Sequence, residues 1–457
     1  MLVAFSWVPK GAMKPTSILS TDTISQARAK LQHQNPEYVE ESKQANRRGQ
    51  KELKKQRSPR AADRGSRRHG KQQCSGLDSG NEEDDDDSDE GDNTVVNEML
   101  RDIAGGGTDA ILEDIASEDE DEIEDTRFKD TDLVFTVGCA DTENPRVELY
   151  TYDEPEDNIF LHHDMEIAAL PLCSSWLTDG SMSMLAVGTM LPFIEVWALD
   201  VMDSVEPAIF LGGCKEVAKN YNSKNIRKHL KEESHTEAVL DVKWNTIAQN
   251  ILSSGSADHT IKLWDLNTAT CLGTYAENEK VQSLDWHPTE ANQMLSGGFD
   301  SSMVLRDCRY PQQPALRFTL PSVVEHVEFF PHGGEAPEAG IVMASTSKGE
   351  WAAFDTRNAT QPLWHLKPHK GEVVFACSRH VRGLCATGGK DGKISLWDCR
   401  QIGLEPTLCV SRNYRTGDIF SIAFHPNSPH ILGACGAAGE PLVYTMTDDI
   451  YPVFKSS

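Results

Sequence analysis

One short unit recurs along this chain, and it is too small to bury a core alone. His235 stands before the alternating run Val239-Leu240-Asp241-Val242-Lys243-Trp244. There follow Ile251-Leu252-Ser253-Ser254-Gly255-Ser256-Ala257-Asp258 and Thr260-Ile261-Lys262-Leu263-Trp264-Asp265. These read as three short strands with polar turns, and Cys271–Tyr275 as a fourth. A second copy runs from His369 through Thr387-Gly388-Gly389-Lys390-Asp391 to Ile394-Ser395-Leu396-Trp397-Asp398, and in both copies the Asp precedes the Trp by six residues. Weaker copies keep the frame. Val281–Trp286, Met294–Asp300 and Met303–Asp307 carry Arg306 in the Trp place; Val324–Phe330, Ile341–Ser347 and Trp351–Asp355 carry Phe354. Ile419–Phe424, Ile431–Cys435 and Leu442–Met446 carry Tyr444, and upstream Ile167–Trp176, Met184–Gly188 and Ile194–Leu199 carry Trp197. Spacings between the equivalent positions are 67, 42, 48, 43 and 47. Four-stranded units of this type take about 40–45 residues. The long first spacing holds a basic loop with Lys215, Lys219, Lys224, Arg227, Lys228 and Lys231.

The unit resembles a WD-repeat blade: a His before the first strand, Ser-Gly-Ser-x-Asp at the second turn, a closing Trp-Asp. That resemblance implies an all-β chain folded as a β-propeller. Six copies are complete. A seventh lacks its first strand: Leu133–Val137 and Val147–Tyr152 follow acidic sequence, with Tyr150 placed 47 residues before Trp197. The missing strand stands at the start of the chain, where Val3-Ala4-Phe5-Ser6-Trp7-Val8-Pro9 matches Leu284-Asp285-Trp286-His287-Pro288 and Ile422-Ala423-Phe424-His425-Pro426. Residues 2–8 are therefore expected to pair with 133–152, closing the ring and shielding sheet edges. The expected organisation is a strand at 1–9 completing blade one, a disordered basic-then-acidic insertion at 10–130, and a seven-bladed propeller at 131–457.

His235, Ser254, Asp258 and Trp264, and again His369, Thr387, Asp391 and Trp397, are the residue types that in WD-repeat blades hydrogen-bond across strands and lock the turn. Imidazole, hydroxyl and carboxylate together also describe a catalytic triad. Active sites occur once, however, whereas structural devices recur, so these residues are expected to serve stability. No phosphate-cradling Gly-rich loop, nucleophile elbow or zinc spacing occurs. The expectation is thus a chain with no catalytic activity, cofactor, metal or small-molecule substrate. His162-His163-Asp164 has no further His or Cys nearby and reads as a loop or strand end. Trp397-Asp398-Cys399-Arg400 fits the WDxR pattern of substrate receptors of cullin-type ubiquitin ligases, and Phe354-Asp355-Thr356-Arg357 is a relaxed version.

A formal net charge of −27 averages over blocks of opposite sign. Lys43–Lys71 is rich in Arg and Lys, with clusters at Arg47–Lys55 and Arg64–Lys71 that suit nuclear import. Acidic runs follow at Glu82–Glu90 and Glu113–Asp125. Like charges at this density leave little apolar surface to offset the entropy of ordering. Ser79 and Ser117 are candidate phosphosites for an acidophilic kinase. The 11 cysteines form no CxxC pair, which favours free thiols in a reducing compartment. No apolar run approaches the roughly 18 residues of a membrane span, so no membrane partner is expected.

The chain is similar as a whole to the periodic tryptophan protein 1 family. The stretches that carry this are Val3–Val8, Phe160-Leu161-His162-His163-Asp164, Ile194–Asp200 with Ser204-Val205-Glu206-Pro207, and His235–Asn245. The likeness covers residues 133–446 and the first strand, while the insertion matches in charged character alone. It implies a scaffold in the nucleus and nucleolus that serves ribosome biogenesis, chiefly large-subunit assembly and rRNA processing. The implied partners are pre-ribosomal proteins and RNA. Histones or chromatin at ribosomal DNA, engaged through the acidic runs, are the alternative, and a ubiquitin-ligase receptor is a third.

Overall fold

The computed structural model describes residues 1–13, 128–129, 131–178, 182–202, 204–214, 230–310, 316–331, 340–401, 403–446 and 453–454. The charged stretch between residues 14 and 127, with Ser79 and Ser117, lies outside the described residues, as does most of the basic loop at 215–229. Blade one is formed by β1 (Leu2–Trp7), β2 (Leu133–Cys139), β3 (Arg146–Asp153) and β4 (Asn158–Glu166). Blade two has β5 (Pro171–Thr178), β6 (Ser183–Thr189), β7 (Phe193–Ala198) and β8 (Ile209–Gly212). Blade three has β9 (Val239–Trp244), β10 (Ile251–Ser256), β11 (Thr260–Asp265) and β12 (Thr270–Ala276). Blade four has β13 (Val281–Trp286), β14 (Gln293–Gly298), β15 (Ser302–Asp307) and β16 (Leu316–Thr319). Blade five has β17 (Val324–Phe329), β18 (Ile341–Thr346), β19 (Trp351–Asp355) and β20 (Trp364–Leu366). Blade six has β21 (Val373–Cys377), β22 (Leu384–Gly389), β23 (Lys393–Asp398) and β24 (Thr407–Asn413). Blade seven has, among the described residues, β25 (Ile419–Phe424), β26 (Ile431–Gly436) and β27 (Leu442–Thr445). The fold is the seven-bladed propeller that the repeat implies.

Each sheet is antiparallel, and its first strand packs against the first strands on either side. The ring runs β1, β5, β9, β13, β17, β21, β25 and back to β1. Alternating side chains put apolar residues on both faces of a blade, so the core lies between neighbouring blades and not within one. Between blades two and three, for example, Ala186, Ile194 and Val196 meet Val239, Leu252 and Trp264. Close approach there needs a second strand without bulk. A β-carbon on Gly255 would lie 2.6 Å from Val281 Cγ1, and one on Gly388 would lie 2.7 Å from Ile419 Cγ2. Gly188 and Gly297 face Val239 and Val324 in the same way. Gly255→Ala is therefore expected to cost about 1–3 kcal/mol, the usual range for overpacking. Chemical denaturation checks it; an unchanged midpoint would mean the blades are free to separate.

The N-terminal strand closes the ring. β1 pairs with β2 antiparallel, Trp7 opposite Phe135 and Leu2 opposite Cys139. Leu2, Phe5 and Trp7 are buried with Phe135 and Tyr152 of blade one and with Ile431 and Cys435 of blade seven. Phe5 stacks on Phe135 at 4.9 Å between ring centroids. The Trp7 indole N–H donates to Ala423 O at 2.9 Å, and the Lys10 N–H to Asn427 Oδ1 at 2.9 Å. Closure thus comes from side-to-side packing of β1 on blade seven, not from a strand shared between two sheets. The packed sequence also reaches past the expected boundaries at 9 and 130. Met13 and Phe128 are buried in the cluster that holds Leu185 and Trp197 of blade two, and Ala12 O accepts from the Ser183 hydroxyl at 3.0 Å.

Candidate functional site

In blade three the four singled-out residues come together through the frame alone. His235 lies four residues before β9, Ser254 is the fourth residue of β10, and Asp258 caps the turn that leads into β11. His235 is fully buried, its Nδ1 2.9 Å from Asp258 Oδ2 and its Nε2 2.7 Å from Ser254 Oγ. The Trp264 indole N–H donates to the same Ser254 hydroxyl at 2.8 Å. Asp258 also accepts from the Thr236 and Thr260 backbone N–H groups and, at 2.6 Å, from the Thr260 hydroxyl. Burial opposes the charge on Asp258, yet His235 and Thr260 outweigh it and hold the carboxyl below its ordinary range. Burial pushes His235 down despite the neighbouring carboxylate. Blade six repeats the arrangement: His369 Nδ1 is 2.8 Å from Asp391 Oδ1 and Nε2 is 2.8 Å from Thr387 Oγ1, to which the Trp397 N–H donates at 2.9 Å. No exposed nucleophile stands in either set. The hydroxyl that a triad would activate is buried and already bonded twice.

Blade four keeps the positions and changes the chemistry. Glu277 lies four residues before β13 where His would stand, Ser296 and Asp300 keep their places, and Arg306 replaces the Trp. Arg306 forms an ion pair with Glu277, and the Ser296 hydroxyl donates to Glu277 at 3.2 Å. Arg317 reaches Asp300 at 2.5 Å, and the Arg306 guanidinium lies 5.5 Å from the Tyr275 ring centroid. Blade five has lost the set: Leu320, Ala344 and Phe354 are buried in apolar contact. Across blades three to six the set thus passes from His, hydroxyl, Asp and Trp to a Glu–Arg pair and to apolar contact.

A second constellation surrounds the axis. Side chains on the inner strands of blades one to five reach the next inner strand and bond its backbone. Ser6 accepts from the Trp176 N–H and Ser175 from the Trp244 N–H, each at 3.2 Å. On blades three to five carboxylates make such bonds, Asp285 and Glu328 from the position of Ser6 and Ser175 and Asp241 from two residues earlier in its strand. Asp241 accepts from Leu284 at 2.7 Å, Asp285 from Phe329 at 2.8 Å and Glu328 from Cys377 at 3.1 Å. Lys243 stands among these three, and the carboxylates raise its ammonium against the effect of burial. Burial, then the Asp285 charge, pushes Glu328 up to about 8, and burial pushes Asp241 up to about 6. The sign follows. A carboxyl raised in the folded state contributes most below its unfolded value of about 4.3, and that contribution is lost as pH rises through about 8. Glu328→Gln keeps a carbonyl oxygen for Cys377 and removes the charge. It is expected to raise the thermal midpoint over the parent by more at pH 9 than at pH 5, and equal shifts at both would show that Glu328 does not titrate in this range.

His162 and His163 sit within β4, the outer strand of blade one, not at a strand end; an outer strand is exposed enough to hide its apolar alternation. His162 stacks on Phe128 at 4.1 Å. Cys377 and Cys385 face each other on β21 and β22 as free thiols 3.4 Å apart, and burial pushes Cys377 up to about 12. Arg400 pairs with Asp398 at 2.6 Å and Arg357 with Asp355 at 2.6 Å. Arg309 does the same with Asp307, a third copy in which Arg306 stands before the Asp where the others have Trp or Phe. Among the described residues no three His, Cys, Asp or Glu side chains are placed to hold a metal ion, and no helix is long and apolar enough to cross a membrane.

A family model described as WD domain, G-beta repeat, matches residues 227–265 and 360–398, the stretches that end on Trp264-Asp265 and Trp397-Asp398 of the two complete polar sets. The periodic tryptophan protein 1 homolog of Drosophila melanogaster is 31% identical over 336 residues, covering 71% of this chain and 70% of that protein. Periodic tryptophan protein 1 of Saccharomyces cerevisiae is 31% identical over 298 residues, 59% of this chain and 50% of its own length. An uncharacterized WD repeat-containing protein of Schizosaccharomyces pombe is 30% identical over 337 residues, covering 71% of this chain and 63% of that protein. The two yeast relatives are thus spanned for less than two thirds of their length. With the propeller, its N-terminal strand and the fly relative in agreement, the chain belongs to the periodic tryptophan protein 1 family of WD-repeat proteins.

Proposed function

We propose that this propeller is a non-catalytic scaffold of ribosome biogenesis, acting in the nucleolus on precursors of the large subunit. The observation that carries the reading is family membership across the blades themselves. The scaffold reading draws support from the way the polar sets are spent on holding strands together. Pre-ribosomal proteins are the expected partners of the blade surfaces, with RNA phosphates meeting basic segments. Affinity purification from nuclear extract followed by sedimentation tests this. Co-migration with large-subunit precursors is the expected result. Histones without ribosomal proteins would replace it with the chromatin reading, and a cullin adaptor with the ubiquitin-ligase reading.

A further inference from the structure

The chain has two serines followed by proline, Ser58 and Ser428, and no threonine so placed. Of the two, Ser428 lies among the described residues. It stands half-buried between the exposed Asn427 and Pro429, on the turn that joins β25 to β26. The turn is held without its hydroxyl: the Asn427 and Ser428 N–H groups donate to His425 Nδ1 at 3.1 and 2.9 Å. A proline at the next position keeps Ser428 out of the helical region, and extended backbone is what a protein-kinase cleft accepts. Basic groups gather on this turn. The Lys10 N–H donates to Asn427 Oδ1 at 2.9 Å, which sets the exposed Lys10 beside it from just beyond the first strand. His380 of blade six reaches the Pro426 carbonyl oxygen through Nε2, and His430 Nε2 stands 2.8 Å from Glu154 of blade one. His425 registers all three. Burial first, then the charges of His380, Lys10 and His430, hold it down at about 4. Glu154 is the carboxylate that an ion pair brings to the turn, and it is engaged with His430.

We propose that Ser428 is a phosphorylation site for a proline-directed kinase, and that its phosphate binds Lys10 and fastens the end of the first strand to blade seven. The Ser428 oxygen attacks the γ-phosphorus of ATP held by the kinase. The new O–P bond replaces the bond to the ADP oxygen, ADP leaves, and the hydroxyl proton passes to the catalytic carboxylate of the kinase. At pH 7 the product carries about −1.5 to −2 charge and three acceptor oxygens. Lys10 brings a flexible ammonium with three donors. A phosphate set against such a cation orders the segment that carries it.

The test takes the full-length chain with Ser58→Ala, a cyclin-dependent kinase and ATP. Mass spectrometry is expected to place stoichiometric phosphate on Ser428 of the folded chain, and Ser428→Ala to remove it. The phosphorylated chain should melt about 2 °C above the unphosphorylated one, the scale of one added surface interaction in a large domain. With Lys10→Gln, a change on an exposed side chain, phosphorylation should proceed as before and the gain should vanish. A folded chain that the kinase leaves unmodified at Ser428 would overturn the site. An equal gain in the Lys10→Gln chain would overturn the pairing. So would a midpoint that stays level or falls on phosphorylation, a fall being the sign of a phosphate that draws His430 from Glu154.

Discussion

A chain without residues 1–9 is expected to lose its cooperative melt and most of its soluble yield. The segment buries Leu2, Phe5, Trp7 and Val8, and full burial of such side chains contributes roughly 1.5–3 kcal/mol each. The sum, on the order of 6–12 kcal/mol, is comparable with the whole stability of an ordinary domain at about 5–15 kcal/mol. Loss of β1 also strips β2 of its partner along Phe135–Cys139 and leaves Ala423 O without the Trp7 donor. Far-UV melting of the truncated and full-length chains checks this. A truncated chain that melts within a degree or two of the parent would show that the first strand is dispensable.

Trp264→Ala is expected to cost about 3–5 kcal/mol, the range for deleting a large buried aromatic side chain. Its indole is fully buried among Val239, Val242 and Leu252, and the change leaves the Ser254 hydroxyl short of a donor. Asp258→Ala removes the acceptor for His235, Thr236 and Thr260 at once. A buried donor left unpaired costs about 1–3 kcal/mol, and of the three only His235 is fully buried, so about 1–3 kcal/mol is expected there. Trp264→Phe keeps most of the volume and should lie well below Trp264→Ala. In cells, loss of function should follow loss of protein. A variant of normal stability and abundance that abolishes function would instead mark a binding site at this set.

The strand pattern was legible because each blade repeats one frame. Positions 197, 264, 306, 354, 397 and 444 all fall in third strands, and Tyr150 marks the seventh. The first strand was legible for the same reason: Phe5-Ser6-Trp7 repeats the inner-strand pattern of Leu284-Asp285-Trp286 and is buried as it is. Glu277 was not, although it lies four residues before β13 as His235 lies four before β9. The exchange of His and Trp for Glu and Arg preserves a contact and hides it from any search by residue type. The ring around the axis was hidden more deeply. Ser6, Ser175, Asp285 and Glu328 do the same work from the fifth position of their strands, yet hydroxyl and carboxylate look unrelated until neighbouring blades are set side by side. Composition placed the edges of the insertion a few residues inside packed sequence, because Ala12-Met13 and Phe128 are too short a signal to stand out beside it.

Residues 2–8 belong to blade one although more than a hundred residues separate them from the rest of it. A specific protease site placed at Gly105-Gly106-Gly107 allows the chain to be cut once, without denaturant, between the two parts. Size-exclusion chromatography of the cut protein then shows whether the first strand stays on its blade. The expected result is a single peak that holds both fragments and melts like the uncut chain, since β1 is held on one side by β2 and on the other by blade seven. Elution of the N-terminal fragment on its own, with the remaining propeller still folded, would contradict it.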